Sequence, residues 1–371
     1  MPESKPQSTF SSERLLSLDV LRGFDMFWIT FGEVAIWSLA EHTNWKVFSL
    51  IEAELEHPSW HGFTFYDLIF PLFMFLAGVS FPFSLAKRLE CGESMASIHW
   101  HIVRRGLLLV LLGLIRKNNG LLLFDFEELS YPSVLGRIGL GYMFGSLIAL
   151  HTKLRGQIAW AIGILLGYWA ALKLIPVPEF GANDLTPGHT LACYIDKILL
   201  PGSGYRGQCN SEGILSTIPS IVNVLAGIMS GQWLLRTDRT GYQKTTGMLC
   251  VGILAWGIGK VWDLTFPINK TLWTSSFVMV TVGWSLLLLA LFYLVIDVWK
   301  LRKGWLPLIV IGVNPLLIYM ADGLIDFYGI SEVIFGDRLA RVHPVVADCS
   351  GLFLAWALLS VLYRNKIFWR V

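Results

Sequence analysis

Long apolar stretches separated by short polar joints fill the chain. Runs over 15–39, 64–86, 98–115, 134–151, 157–175, 214–235, 246–262, 273–295, 305–322 and 345–363 each approach the ~20 residues that a helix needs to cross a hydrocarbon core about 30 Å thick. Lipid admits only helices and closed barrels, because every backbone polar group must find its partner within the chain. The runs are continuous and lack the period-two alternation of a barrel strand. The pattern predicts an all-α fold, a polytopic integral membrane bundle of ten to eleven transmembrane helices. A short tail covers 1–13, a single membrane domain covers 14–371, and the longest joint lies at 176–213.

The polar joints carry a second pattern. Arg14, then Lys87, Arg88, Arg104 and Arg105, then Lys153 and Arg155, then Arg236, Arg239 and Lys244, then Lys300, Arg302 and Lys303, and finally Arg364, Lys366 and Arg370 occupy alternate joints. The intervening joints hold most of the acids and histidines. Cationic loops stay in the cytoplasm, so the N-terminus is expected there and an even number of spans returns the C-terminus to it. The joint over 176–213 is then extracytoplasmic. Its two cysteines, Cys193 and Cys209, are open to two readings, a disulfide in an oxidising compartment or two free thiols.

Composition agrees with lipid as the solvent: 54% of residues are hydrophobic and 15% charged, against roughly a quarter charged in soluble domains. A net charge of +2, spread over short clusters, gives no footprint for a nucleic-acid partner. Five cysteines without a CxxC or Cys/His cluster give no support for a metal. The polar start has no cleavage pattern behind its first apolar run, so the first helix is expected to be an uncleaved anchor.

Charges at membrane depth are costly and usually mark a cavity or a site. Asp19, Arg22 and Asp25 sit toward the cytoplasmic half of the first span, Glu33 toward its outer half, and Asp67 near the outer end of the second. An Asp19/Arg22 pair at helical spacing can equally be an ion pair that only orients the helix. The joint EHPSWHGFTFYDLIFPLFMF brings His57, Trp60, His61 and Asp67 to one interface. A histidine beside a carboxylate is a natural general base; the plainer alternative is solvated histidines with Trp60 as an interfacial anchor. In DLTFPINKTLW, Asp263, Asn269, Lys270 and Trp273 fall together, and Asn269-Lys270-Thr271 is also a glycosylation sequon. Asn314-Pro315 breaks a span, and Arg137 lies inside the outer half of another. Four such segments expected at one face suggest a site.

The blocks RLLSLDVLRGFDMFWI, HPSWHGFTFYDLIFPLFMFLAGVS, LGRIGLGYMF, SEGILSTIPSIVNVLAGIMSG, FPINKTLWTSSFV and GVNPLLIY run in order across nearly the whole chain. Together they resemble the heparan-alpha-glucosaminide N-acetyltransferase family and its bacterial relatives. The resemblance implies a transmembrane acetyltransferase that moves acetyl from cytosolic acetyl-CoA to the amino group of a glucosamine-type sugar on the opposite side. It implies a multi-pass protein of a cell membrane, here a bacterial cytoplasmic membrane, with lipid around it and no metal. It puts the active-site histidine at His57 and its aspartate at Asp67. His57 is then a general base or a transient acetyl carrier. The donor's phosphates are expected near Arg22, Arg104 and Arg105, with Asp19 beside them. The acceptor is expected at Trp60, Arg137, Asp263, Asn269, Lys270 and Asn314, with Trp60 and Trp273 stacking on the sugar ring. A second copy of the chain is an open partner. A secondary transporter for a sugar or another small solute is the rival class, since polar groups in spans and a broken helix suit it as well.

Overall fold

The computed structural model describes residues 15–118, 129–200, 210–336 and 338–369. Among these residues the fold is helical, with one isolated β-bridge between Val177 and Gly181. In chain order the helices are α1 (Leu16–Phe27), a π-helical turn (Trp28–Gly32), α2 (Glu33–His42), α3 (Lys46–Leu55), α4 (Phe65–Glu90), α5 (Met95–Lys117), α6 (Val134–His151), α7 (Leu154–Leu174), α8 (Leu191–Leu199) and α9 (Ile214–Leu235). They continue with α10 (Gly241–Asp263), α11 (Ser275–Tyr293) with a π-helical extension (Leu294–Val298), α12 (Leu306–Gly312), α13 (Pro315–Leu324), α14 (Phe327–Phe335), α15 (Arg338–Val342), α16 (Pro344–Asp348) and α17 (Ser350–Arg364).

Eight helices are long and apolar enough to cross a membrane among the described residues, and a ninth span is a bent pair. The expected ten differ from this at two places. The first span is one continuous helical rod from α1 through the π-helical turn to α2, about 40 Å long at 1.5 Å per residue, which carries Asp19, Arg22, Asp25 and Glu33 and is not among those eight. The span expected over 305–322 has its expected break at Asn314-Pro315, where α12 and α13 meet at 75°. Proline supplies no N–H and its ring opposes the preceding turn, so the helical ladder stops there.

The break decides where Asn314 goes. The short α12 lies against α1 so closely that a Cβ added at Gly23 would overlap the carbonyl oxygen of Leu308, and one at Gly312 would overlap that of Asp19. These pairs run α12 antiparallel to α1, toward the end of the bundle where the N-terminal segment enters. There the buried Asn314 donates Nδ2–H to the Ile367 carbonyl (3.0 Å) and accepts from the Trp369 N–H (2.9 Å). The expectation that Asn314 faces an acceptor site at the far end is therefore corrected: its amide holds the C-terminal tail.

The centre of the bundle is the crossing of α4 and α9. Gly78 on α4 and Gly227 on α9 let the two backbones touch, and Phe75, Val79, Val224 and Ile228 around them are fully buried. Small residues drive helix association in lipid because apolar burial offers no preference between protein and hydrocarbon. Helices α5, α7 and α10 are peripheral, turning Leu107, Leu111, Trp160, Ile162, Val251, Leu254 and Val261 outward. The protein is thus a multi-pass membrane bundle with α4 as its axis, and the start of α4 positions the site.

Candidate functional site

Helix α4 begins at Thr64, where local chemistry fixes the first turn. The Asp67 carboxylate reaches back so that Oδ2 accepts the Thr64 N–H (3.2 Å), while the Asp67 N–H donates to the Thr64 carbonyl (3.1 Å). This reciprocal cap satisfies donors that a helix start leaves open. It also aims the other oxygen of Asp67 at the preceding loop. Oδ1 lies 2.7 Å from Nδ1 of His57 and 3.4 Å from Nζ of Lys270, and Lys270 Nζ stands 2.9 Å from Nε2 of the same imidazole. Asp67 is 1% exposed and His57 47%, so a buried anion holds an accessible ring. Lys270 Nζ is also 3.4 Å from Nδ1, so it stands over the face of the ring near both nitrogens; a His57 proton on Nδ1, the nitrogen beside Asp67, leaves Nε2 as the basic atom. Burial pulls the Lys270 ammonium below its usual pKa, while the negative charge of Asp67 works against that pull.

Tyr66 completes the arrangement. Its ring stacks on His57 (centroids 5.1 Å apart), its hydroxyl donates to Glu33 on α2, and Lys270 lies 6.0 Å above its face. The sequence brought His57, Asp67 and Lys270 to one end of the bundle; Tyr66 was not singled out. Arg116, Tyr319, Asp322 and Glu212 were missed as well. Arg116 Nε donates to the Tyr319 carbonyl (2.8 Å), its guanidinium stacks on the Tyr319 ring (4.0 Å) and pairs with Asp322 (3.5 Å). Asp322 lies within electrostatic reach of Tyr66 and Glu33, and Glu212 within reach of Lys270, Arg137 and Tyr319. The signal available for Asp322 was the one used for Glu33, an acid within an apolar span.

The remaining acceptor-side residues are placed as follows. Asn269 is fully buried, and its side chain ties two loops together: Nδ2 donates to the Trp60 carbonyl (2.7 Å) and Oδ1 accepts the Leu272 N–H (2.8 Å). Loss of both bonds in Asn269→Ala is expected to lower the thermal midpoint, in the range of about 1–3 kcal/mol per unsatisfied partner; differential scanning fluorimetry in detergent would read it. Trp60 is half-buried and donates Nε1–H to the Leu185 carbonyl (2.8 Å), which fastens the His57 loop to the long loop. Asp263 accepts the Ile268 N–H (2.7 Å) at the end of α10 and faces His61, whose pKa burial lowers against the pull of that carboxylate.

Trp273 departs from expectation. Its ring is 1% exposed, enclosed by Phe70 and Phe277, covered by the Arg137 guanidinium at 4.5 Å, and its Nε1–H donates to Asn223 (3.0 Å). A ring so enclosed offers no face to a sugar, and the stacking role given to Trp273 is corrected to a core role. Arg137 is itself 2% exposed and donates to Ser216, while Nε and Nη1 have no partner among the described residues.

Near Arg137, the buried Asp196 of α8 accepts the Ile214 N–H (2.8 Å), and burial pushes its pKa up to about 6 although the Ile214 bond and Arg137 oppose the rise. The sign follows from linkage: a carboxyl with a raised folded pKa binds more protons folded than unfolded between about 4 and 6, so stability falls as pH rises through that window. Asp196→Asn, which keeps an acceptor for Ile214, is expected to flatten this fall. At pH 7 it is expected to recover at most about 3 kcal/mol, read as a higher thermal midpoint at pH 7 than at pH 4 relative to the parent.

The expected donor-side residues lie further along α4. Arg22 is paired with Asp19 (3.0 Å) and donates to Ser80, and Arg105 stacks over Tyr142 (4.4 Å), whose ring meets that of Phe81. Arg104 is exposed. Ser80 is thirteen residues beyond Asp67, about 20 Å along the helix axis. Arg22 and Arg105 therefore sit about 20 Å from Asp67 along the axis of α4, just past the middle of that helix. Cys193 is buried in α8, and its expected partner Cys209 lies outside the described residues, as does the tail over 1–13. Among the described residues no three His, Cys, Asp or Glu side chains gather to hold a metal ion.

A family model described as a domain of unknown function (DUF5009) matches residues 14–126. The chain is 28% identical to heparan-alpha-glucosaminide N-acetyltransferase of Homo sapiens, over 96% of this chain and 60% of that protein. It is 27% identical to the protein of the same name in Mus musculus, over 97% of this chain and 61% of that protein. The chain thus spans about 60% of the length of these curated relatives. Along nearly its whole length it is similar to the heparan-alpha-glucosaminide N-acetyltransferases, in keeping with its sequence blocks.

Proposed function

We propose that the protein is a transmembrane acetyltransferase that takes acetyl from acetyl-CoA on the cytoplasmic side and delivers it to the amino group of a glucosamine-type sugar on the other side. The observation that carries this reading is the His57–Asp67 contact of 2.7 Å, set at the end of α4 remote from the arginines. Similarity to proteins named N-acetyltransferases supports it.

In this reading Asp67 holds one tautomer of His57, so that Nε2 is the reactive atom. The donor, when bound, supplies an acetyl thioester. Nε2 takes a proton from the amine as its nitrogen bonds to the acetyl carbon, and returns a proton to the departing thiolate; in the two-step route Nε2 itself carries the acetyl group between the two partners. Lys270, with its ammonium beside Nε2, stabilises the negative charge that builds on the carbonyl oxygen. Asn269 and Trp60 act as positioning residues that hold the His57 loop. Arg105 has a buried Nε without a partner among the described residues, and with Arg104 it fits the phosphates of the donor; Arg22 is already balanced by Asp19. An uncharged pantetheine arm crosses the bundle interior at far lower cost than a phosphate would. A bacterial cytoplasmic membrane suits this division of faces.

The test uses purified protein in detergent, radiolabelled acetyl-CoA and a panel of amino sugars. Labelled N-acetyl sugar is expected with at least one of them. Labelling of none, with sugar uptake into proteoliposomes, would replace the enzyme by a transporter. Lys270→Met is expected to lower kcat by about 10²-fold, the usual effect of removing one donor to a developing oxyanion, with a smaller change in the KM for acetyl-CoA.

A further inference from the structure

A cavity of about 390 Å³ lies among α13, α14 and α17, lined by Thr30, Ile318, Asp322, Asp326, Phe327 and Tyr328 among others. Its volume falls in the lower part of the range for small-molecule sites, near 300–1,000 Å³. The walls are polar and apolar in about equal measure, and Asp322 is a carboxylate set within them.

This cavity adjoins the His57 site through a chain of polar groups. Thr30 on its wall precedes Glu33 by three residues, one helical turn, so the two share a face of the rod. Glu33 accepts the hydroxyl of Tyr66, and Tyr66 stacks on His57. Asp322 lies within electrostatic reach of both Glu33 and Tyr66. The charges around the chamber are mainly negative. Asp322, Asp326 and Glu33 are joined by Asp348, which lies within reach of Tyr328; the opposing groups are Arg116, 3.5 Å from Asp322, and His42, 3.5 Å from Asp348. Such an excess of negative charge favours a cation over a neutral ligand.

We propose that this cavity is the acceptor chamber and that it recognises a protonated amine on a monosaccharide-sized ligand, with Asp322 as the counter-charge. The chamber rests on the reading of acetyl transfer at His57 only for its purpose; its selectivity stands on the cavity and its charges. A neutral ligand of similar shape gains nothing from Asp322, so the amine is preferred to its acetylated product, which favours product release.

The experiment compares binding of glucosamine and N-acetylglucosamine to the full-length protein in detergent by calorimetry, for the parent, Asp322→Asn, Asp322→Glu and His57→Ala. The parent is expected to prefer glucosamine by at least about tenfold, the size of a lost charged hydrogen bond. Asp322→Asn should lose that preference, Asp322→Glu should regain most of it, and His57→Ala should keep it. Equal binding of the two sugars by the parent, no binding of either, or an unchanged preference in Asp322→Asn overturns the proposal. Since the readout is binding, a parent that prefers glucosamine yet transfers no acetyl to it would sink the enzymatic reading and leave the chamber standing.

Discussion

His57→Ala is expected to lower kcat for acetyl transfer by about 10²–10⁴-fold, the span that a positioned general base contributes. The loss should fall on chemistry and leave the fold intact. His57 is half-exposed, and the groups it leaves behind, Asp67 Oδ1 and Lys270 Nζ, already stand 3.4 Å apart and keep each other paired. The thermal midpoint is therefore expected to stay within a few degrees of the parent. Asp67→Asn should follow the same course for a different reason. An asparagine still caps the Thr64 N–H, but it removes the buried anion that fixes the imidazole tautomer, so turnover falls while α4 still forms. Turnover of His57→Ala within threefold of the parent, at an unchanged midpoint, would remove His57 from the mechanism.

Gly227→Leu is expected to abolish folding. A Cβ at this position would overlap the carbonyl oxygen of Phe75 and come within 3.0 Å of the Val79 nitrogen, so the obstacle is backbone on the central helix. A flexible side chain can turn away, but α4 can yield only by separating from α9. Overpacking ordinarily costs 1–3 kcal/mol, and a rigid backbone obstacle takes the cost above about 3 kcal/mol. Size-exclusion chromatography after detergent extraction should show aggregate in place of the parent's symmetric peak. Gly257→Leu on α10 serves as control, because a Cβ there meets nothing within 4 Å among the described residues. A symmetric peak for Gly227→Leu would contradict the α4–α9 packing described above.

The two predictions draw on different levels of the molecule. His57 was legible in the sequence, because a histidine ten residues before an aspartate at the start of an apolar run is a recognisable arrangement and stands in a block that resembles a known family. Gly227 was not, since a glycine in a membrane helix carries no mark of the neighbour it touches. The same limit explains Trp273 and Asn314. Trp273 was grouped with the site because it is aromatic and close in sequence to Asn269 and Lys270, and Asn314 because it stands at a proline break within a span. Yet Trp273 is enclosed by Phe70, Phe277 and Arg137, and Asn314 turns to the opposite end of the bundle with α12. Arg116 and Asp322 went unnoticed for the converse reason: 206 positions separate them, and no local pattern pairs them.

By itself the sequence determined that the protein lives in lipid and where its spans begin and end to within a few residues, and it put His57 and Asp67 in one short segment. These properties are local: apolar length, the cap at Thr64 and the ten-residue spacing all act within one segment of chain. Tertiary structure alone decided that Lys270 and Tyr66 flank the imidazole, that α12 folds back along α1, and that Arg116 on α5 meets Asp322 on α13 at the wall of a cavity. Those depend on which helices meet. In lipid the meeting is chosen by close backbone packing and by partners for buried charge, neither of which a single stretch of residues contains.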